Sequence, residues 1–570
     1  MPSFALNPIT FRHWRGDLFG GVTAAIVALP LALAFGVVSG AGATAGIYGA
    51  ICTGFFAALF GGTPAQVSGP TGPMTVVMTT VISALIARHS DTGLAMAFTV
   101  VMIGGALQIL FGLMRLGQYI TLLSYTVISG FMSGIGVIII LLQLPPLLGY
   151  DASGGVIGTL QQLPEFLRQP NWVAVGLGLL TLGIVFVIPP RLNRLLPSPL
   201  VALVVVSLIS VLFFEQVDLP RIGPIPRGLP SFRLPSLALT DLADMLRYGL
   251  MLGVLGSIDS LLTSLVADSI SRTQHDSDKE LIGQGLGNLL SGLCGGLPGA
   301  GATMRTVVNV QAGGKTSLSG MIHAFVLLLV VLGAGPLTAQ IPLAVLAGLL
   351  LKVGFDILDW GFIKRAPRIS KKGTGVMYLV LFLTVFVDLI TAVLVGAFVT
   401  NMLTIKRLSD LQSDRIQAIN GPTDGANLSP VEEAILSDCK GNILLFQLGG
   451  PMSFGAAKSI SRRLSIVQDY QALVLDLGEV SNLGVTAALA IESIVKDALQ
   501  RQRQVWIVVG PGQVQWRLNR LDLGQLLPKT PDPSDPLAPN LYQVDSRLGA
   551  LQAAQQLLEQ RLVMAGQATP

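Results

Sequence analysis

Asp259 stands inside the apolar run GSIDSLLTSLVAD, and a carboxylate at the centre of a membrane-spanning helix costs roughly 2.5 to 3.5 kcal/mol unless something compensates it. Thr263 follows one helical turn later on the same face, so a carboxylate oxygen and a hydroxyl can converge on one small hard cation, which prefers oxygen ligands. The alternative is an acid that is protonated, or hydrogen-bonded across helices to lock their packing. Asp268, near the end of the same run, marks the membrane interface instead. Two glycine- and proline-rich interruptions supply the opposite chemistry: SGPTGPMT from Ser68 to Thr75 and GLPGAGATMRT from Gly296 to Thr306. Pro70, Gly72 and Pro73 in the first, and Gly299 and Gly301 in the second, free backbone carbonyls and start short half-helices. A half-helix N-terminus offers unpaired N–H groups and a partial positive charge, which suit an anion, while unwound carbonyls suit an accompanying cation. Thr71, Thr303 and the backbone of Ala302 are the candidate anion contacts. Arg305 either adds a fixed positive charge at this place or pairs with a carbonyl. In the first apolar run, Pro30 opens the segment PLALAFG, and Phe35 serves as the wall or gate of a small-anion site or as filler for a kink.

Such residues need lipid-embedded helices to hold them, and the composition demands these. A chain of 570 residues that is 51% hydrophobic and 12% charged cannot make a soluble surface, so it is a polytopic membrane protein. The 65 glycines suit closely packed membrane helices, since a missing side chain lets backbones approach. A net charge of +4, carried in loops, orients the chain in a bilayer and gives no reason to expect nucleic acid. Cys52, Cys294 and Cys439 are scattered and form neither a disulfide framework nor a metal set. The N-terminus, polar through Arg12, His13 and Arg15, runs into the first helix without a cleavage pattern.

Apolar runs fall near residues 17–38, 43–62, 70–87, 93–114, 118–148, 171–188 and 197–214, then 243–268, 280–296, 302–311, 317–335 and 341–353. A last stretch, Thr374 to Ile405, is too long for one span of ~20 residues and splits around Asp388. The fold expected is therefore an α-helical polytopic membrane domain of 14 spans, a 7+7 inverted repeat of the UraA-like type. Repeat one covers about 17–214 and repeat two about 243–405 of a membrane domain at 1–405. Seven is odd, so consecutive copies have opposite orientations, and the broken third segment matches the broken tenth. Arg115, Arg191 with Arg194, Arg272 with Lys279, Lys315 and the cluster Lys364, Arg365, Arg368, Lys371, Lys372 all follow even-numbered spans. Those loops and both termini are read as cytoplasmic. The exception is the long proline-rich loop Glu215–Asp241, with Arg221, Arg227 and Arg233.

After a polar linker at 406–440, residues 441–570 read as a small α/β domain. Its pattern runs ILLFQL, AAKSISRRLSIV, ALVLDL, VTAALAIESIVKDALQ and VWIVV, with a final helix from about Ser546 to Ala565 after the loop TPDPSDPLAP. GGKTS at Gly313–Ser317 is not a phosphate-binding loop, because Asn309 replaces the first glycine and no strand precedes it. His13, His89, His275 and His323 have no metal-ligand spacing and no nucleophile partner, so no enzyme is expected.

The segments GGVTAAIVALPLALAFGVVSGAG, FFAALFGGTPAQVSGPTGPMTVVMT, DSLLTSLVADSISRTQHDSDKELIGQGLGN and GAGATMRTVVN resemble the SulP (sulfate permease) anion transporters, which join such a membrane domain to a cytoplasmic STAS domain. The likeness covers almost the whole chain and is strongest to a sodium-dependent bicarbonate-transporting branch. It implies sodium–bicarbonate symport by alternating access in a cell inner (plasma) membrane, with Na+ as coupling ion and no other cofactor. Sodium would sit at Asp259, Thr263, Gly301, Ala302 and Thr303, and bicarbonate beside Thr71, Gly72, Ala302 and Thr303. A homodimer with a STAS contribution is implied, and the STAS domain's regulatory partner stays open. Sulfate or chloride exchange, and a STAS-based anion sensor that moves nothing, are the alternatives. Many proton-coupled or exchange-type members carry Glu where Asp259 stands, and many carry Gln where Leu31 follows Pro30; Asp fits an ion ligand, and Leu removes a polar contact to a sulfate-like anion. In VSNLGVTAAL, Gly484 and Val485 replace the Asp–Ser of phosphorylated relatives, which removes that modification; Thr486 reads as a helix-start residue.

Overall fold

A computed structural model describes residues 6–7, 11–122, 124–150, 155–189, 197–214, 216–223, 230, 232–238, 240–421, 428–466, 469–521 and 540–567. Arg191, Arg194, Glu215, Arg227 and the TPDPSDPLAP loop lie outside them. The chain forms two compact units, residues 1–400 and 401–570.

In order, the first unit has α1 (Trp14–Val38), α2 (Ala43–Phe60), β1 (Ser68–Gly69), α3 (Gly72–Arg88), α4 (Gly93–Leu113), α5 (Tyr125–Leu148), α6 (Gly155–Phe166), α7 (Trp172–Val187) and α8 (Ser198–Phe213). It continues with α9 (Leu242–Ser271), α10 (Ser277–Leu293), β2 (Ala300–Gly301), α11 (Thr303–Gln311), α12 (Ser317–Thr338), α13 (Leu343–Ile357), α14 (Trp360–Ile369), α15 (Lys371–Phe386) and the start of α16 (Leu389–Asp414), whose last residues, from 401, belong to the second unit. Fourteen of these helices stand where the fourteen apolar runs were read. The other two, α6 and α14, are amphipathic, and α14 carries Lys364, Arg365 and Arg368, which the sequence reading had assigned to a loop.

Local chemistry explains the boundaries. Pro73 sits in the first turn of α3, where its missing N–H costs nothing. Asn171, Asp276, Thr316, Asp359 and Ser370 cap α7, α10, α12, α14 and α15 through their side chains. The last apolar stretch divides at Asp388, whose Oδ1 accepts the Thr391 N–H at 2.9 Å and so starts α16. The helices collect in two groups. α10 packs on α2 and α4, α12 on α1 and α2, and α9 on α4; elsewhere α5 packs on α13 and α15, and α13 on α7. β1 and β2 belong to no sheet but their own: the two interruptions pair antiparallel, Ser68 opposite Gly301 and Gly69 opposite Ala300.

The second unit is a five-stranded sheet in the order β3 (Ile416–Ile419), β4 (Ile443–Met452), β5 (Ala472–Leu483), β6 (Gln504–Val508), β7 (Leu541–Val544), with β3 antiparallel and the rest parallel. Alternate strand residues feed two cores. Leu444, Phe446 and Leu475 pack under α18 (Phe454–Ile466) and α19 (Val485–Gln500). Ile443, Leu445 and Val474 pack under α17 (Pro430–Asp438) and α21 (Arg547–Gln567), with α20 (Gln513–Leu518) completing the first layer. β3 and α17 occupy the stretch 406–440 that the sequence reads as linker. Four residues of strand carry too little alternation to be seen, and α17 announces itself only through the capping box of Ser429 and Glu432.

Candidate functional site

Thr71 and Ala302 are the N-caps of α3 and α11, so both half-helices begin at the paired breaks. Backbone bonds hold the start of each. Thr75 N–H returns to the Thr71 carbonyl at 2.9 Å, and Thr306 N–H to that of Ala302 at 2.9 Å. The first three N–H positions of a helix have no intrahelical acceptor, which leaves Gly72 and Met74 on one side and Thr303, Met304 and Arg305 on the other. Ala302 differs from expectation. Its N–H donates to Val67 O at 2.9 Å, so that the amide read as an anion contact is consumed in closing the two breaks together.

Asp259 is buried on α9 and its Oδ2 accepts the Thr71 hydroxyl at 2.8 Å. Thr263, fully buried one turn along, makes no bond to Asp259. Its hydroxyl donates to Gly301 O at 2.9 Å and lies 2.7 Å from Thr303 Oγ1. The result is two hydrogen-bonded sets one helical turn apart on α9, Asp259 with Thr71 and Thr263 with Gly301 and Thr303. Among the described residues no three His, Cys, Asp or Glu side chains converge. One carboxylate plus hydroxyl and carbonyl oxygens is the kind of ligand set that suits a hard ion.

Arg305 pairs with a carbonyl, as one of its two readings has it. It is 2% exposed and its Nη2 donates to Pro70 O, so this charge of the second repeat crosses to hold the unwound carbonyl of the first. Gly69 has no side chain for the same reason: a β-carbon there would collide with Arg305 Nη1. Phe35 is buried in α1, four residues past Leu31, and Leu31 lines a cavity of about 140 Å3 that also touches Met304.

Sequence reasoning missed the polar layer behind the site. Glu280, Gln284 and Asn288 recur every four residues on one face of α10, and all three are buried. Asn288 clamps Gly299, accepting its N–H at 2.7 Å and donating to its carbonyl at 2.9 Å. Ser260 Oγ accepts Gly301 N–H at 3.0 Å. That stripe of polar residues at helical spacing was the available signal. Asp17, also buried, accepts the Lys315 and Thr316 N–H groups at 2.8 and 2.9 Å. GGKTS therefore wraps a carboxylate of this chain, which takes up its Lys315 and Thr316 amides.

The ends of these helices are tied outside the apolar region. Arg88 and His89, at the end of α3, reach Asp241, before α9, at 2.9 and 2.8 Å. His89, then Arg88 and Thr240, hold the Asp241 carboxyl down at about 2. At the other end of α9, Asp268 takes the His275 N–H at 3.1 Å and faces His275 Nδ1 at 2.6 Å.

Two buried half-helix ends facing across an antiparallel pair, with one acidic residue beside them, define an anion carrier of the inverted-repeat kind, and the comparisons name its family. Residues 14–380 match the sulfate permease family and 434–541 the STAS domain; the chain belongs to the sulfate permease family. It is 55% identical over 529 residues, 92% of this chain and 93% of the relative, to the bicarbonate transporter BicA of Picosynechococcus sp.. The solved transmembrane domain of a cyanobacterial bicarbonate transporter BicA is 59% identical with a TM-score of 0.65, covering 68% of this chain and 99% of that one. SLC26A9, at 17% identity, shares the fold over 97% of this chain and 92% of its own with a TM-score of 0.79. The chain is a multi-pass membrane protein of this fold with a C-terminal STAS domain.

Proposed function

We propose that this chain imports bicarbonate with sodium across the cell inner membrane by alternating access, with both termini and the STAS domain cytoplasmic and two copies associating as a homodimer. The observation that carries the reading is the contact of Thr71 with Asp259 beside that of Thr263 with Gly301 and Thr303. One carboxylate, two hydroxyls and an unwound carbonyl make a sodium site, and the free N–H groups that follow Thr71 and Ala302 make an anion site next to it. The likeness to BicA names the anion: bicarbonate, with one negative charge and a hydroxyl, suits N–H donors on one side and threonine hydroxyls on the other.

The chemistry is binding without bond making. Sodium offsets the charge of Asp259, so the carboxylate no longer repels an arriving anion, and the two ions strengthen each other's binding because opposite charges share a low-dielectric place. Leu31, which lines a cavity with Met304, contributes no polar group of its own to the fourth oxygen of sulfate. Labelled bicarbonate uptake into proteoliposomes tests the reading. It should require sodium, resist competition by sulfate and chloride, lose all sodium stimulation in Asp259→Ala and keep a weakened one in Asp259→Asn. Uptake equally sodium-dependent in Asp259→Ala would remove Asp259 from the site, and ligand binding without uptake would make the protein a sensor.

A further inference from the structure

Glu280 is 1% exposed, and among the described residues no ion pair involves it. It is nonetheless fully engaged, and only by donors. Oε2 accepts the Gly62 and Thr63 N–H groups, both at 2.9 Å, and Oε1 accepts Gln66 Nε2 and Gln284 Nε2, both at 2.8 Å. A neutral glutamine could not accept four such bonds, because one of its terminal atoms is itself a donor. The carboxylate fixes which way two amides point. With its Nε2 turned to Glu280, Gln66 presents Oε1 to the Ser264 hydroxyl at 3.0 Å, next to Thr263 on α9. Gln284, held in the same way, gives its Nε2 to Ser68 Oγ at 2.6 Å, and Ser68 is the residue paired with Gly301 between β1 and β2. Gln66 also packs on Gly301 so closely that a β-carbon there would overlap its Nε2.

We infer that Glu280 is a positioning residue for the cation: through Gln66 and Gln284 it fixes Thr263 and the Gly301 carbonyl, while touching neither ion. This rests on the reading that sodium binds at Thr263 and Gly301. An amide in place of the carboxylate sets its NH2 either against the Gly62 and Thr63 N–H groups or against the Nε2 atoms of Gln66 and Gln284, and in the second case both glutamines must turn. A turned Gln66 then donates to the Ser264 hydroxyl and a turned Gln284 accepts from that of Ser68, so both hydroxyls exchange roles, the bonds that set them are remade, and the two sodium ligands lose their fixed spacing. Asp259 and the half-helix N–H groups are untouched, so the defect falls on sodium before bicarbonate.

Sodium-dependent bicarbonate uptake by the full chain in proteoliposomes, titrated separately in each ion, tests this. Glu280→Gln should raise the sodium half-saturation about tenfold, the size expected for hydrogen bonds to a charged group, with the bicarbonate half-saturation at saturating sodium near native. Glu280→Asp, which keeps the charge, should lie between. A purely structural role predicts the reverse order, since glutamine matches the shape better, together with a loss of maximal rate at unchanged half-saturations. Ser264→Ala removes the Gln66 link while leaving Glu280 satisfied, and should shift the sodium half-saturation in the same direction by a smaller factor. If Glu280→Gln does not fold, Ser264→Ala decides alone. An unchanged sodium half-saturation in these variants of a sodium-dependent chain overturns the inference. Uptake that ignores sodium in the native chain overturns the coupling reading itself, and the inference with it.

Discussion

Thr71 joins the two kinds of chemistry in this site at the level of a single atom. Its hydroxyl donates to Asp259 from the N-cap of α3, so the group that marks the half-helix proposed for the anion also satisfies the carboxylate proposed for the cation. The bond crosses from the first repeat to the second, and on the proposed reading each ion would alter the environment of the other through it. Thr71→Val keeps the shape and deletes the donor. A buried charge that loses a hydrogen bond costs about 1.5 to 3 kcal/mol, so the empty site suffers, while sodium, able to replace the lost donor, is penalised less. The expected result is weaker bicarbonate binding, by roughly tenfold, with sodium affinity equal to native or better, and Thr71→Ser should restore the native pattern. Isothermal titration of each ion in detergent checks it; equal weakening of both ions would mean that Thr71 serves only the fold.

The elements that make this possible are two residues long. β1 and β2 pair the breaks of opposite repeats, and Gly299, clamped by Asn288, lets them meet: a β-carbon on Gly299 would overlap the carbonyl of Gly69. Backbone cannot yield as a side chain can. Gly299→Ala should therefore separate the strands and abolish binding of both ions, whereas Gly176→Ala, where nothing lies within 4 Å, should be silent in the same uptake assay. These strands also show where the sequence stops speaking. Long helices were legible because apolar runs of spanning length have few alternatives, and Asp259, Thr71 and Thr303 were legible because polar groups and chain breaks are rare there. The pairing of Ser68 with Gly301 depends on contacts across more than two hundred residues, which no local pattern encodes. Ala302 went astray for that reason, since its N–H meets Val67 only after the two breaks are brought together. Glu280 escaped for a different one: it stands at the start of an apolar run beside Lys279, where a charge reads as interface.

On the scale of the whole chain, the membrane unit and the α/β unit have separate cores, and the second rests on a charge cluster of its own. Arg547 meets Glu432 at 2.8 Å and Asp476 at 3.5 Å, with both carboxylates almost wholly buried. Burial alone would push Glu432 up, but the Arg547 pairing and the Ser429 N–H outweigh it and hold the carboxyl below the usual glutamate range. Removing the arginine strands two buried acids, a loss of about 3 to 5 kcal/mol. A folded-state value below the unfolded one means that the pairing stabilises fully above the ordinary glutamate value of about 4.3, and that this contribution fades as pH falls through the lowered value. Arg547→Ala should accordingly be about equally damaging from neutral pH down to about 4.3 and progressively less so as acidification continues below that. Hydrogen exchange on the full-length chain reads both units at once. Protection of β4, β5 and β6 should drop in Arg547→Ala at pH 7, while sodium-induced protection of α3 and α11 stays native. Loss of that sodium response together with the sheet would instead make the α/β unit part of the ion site's support.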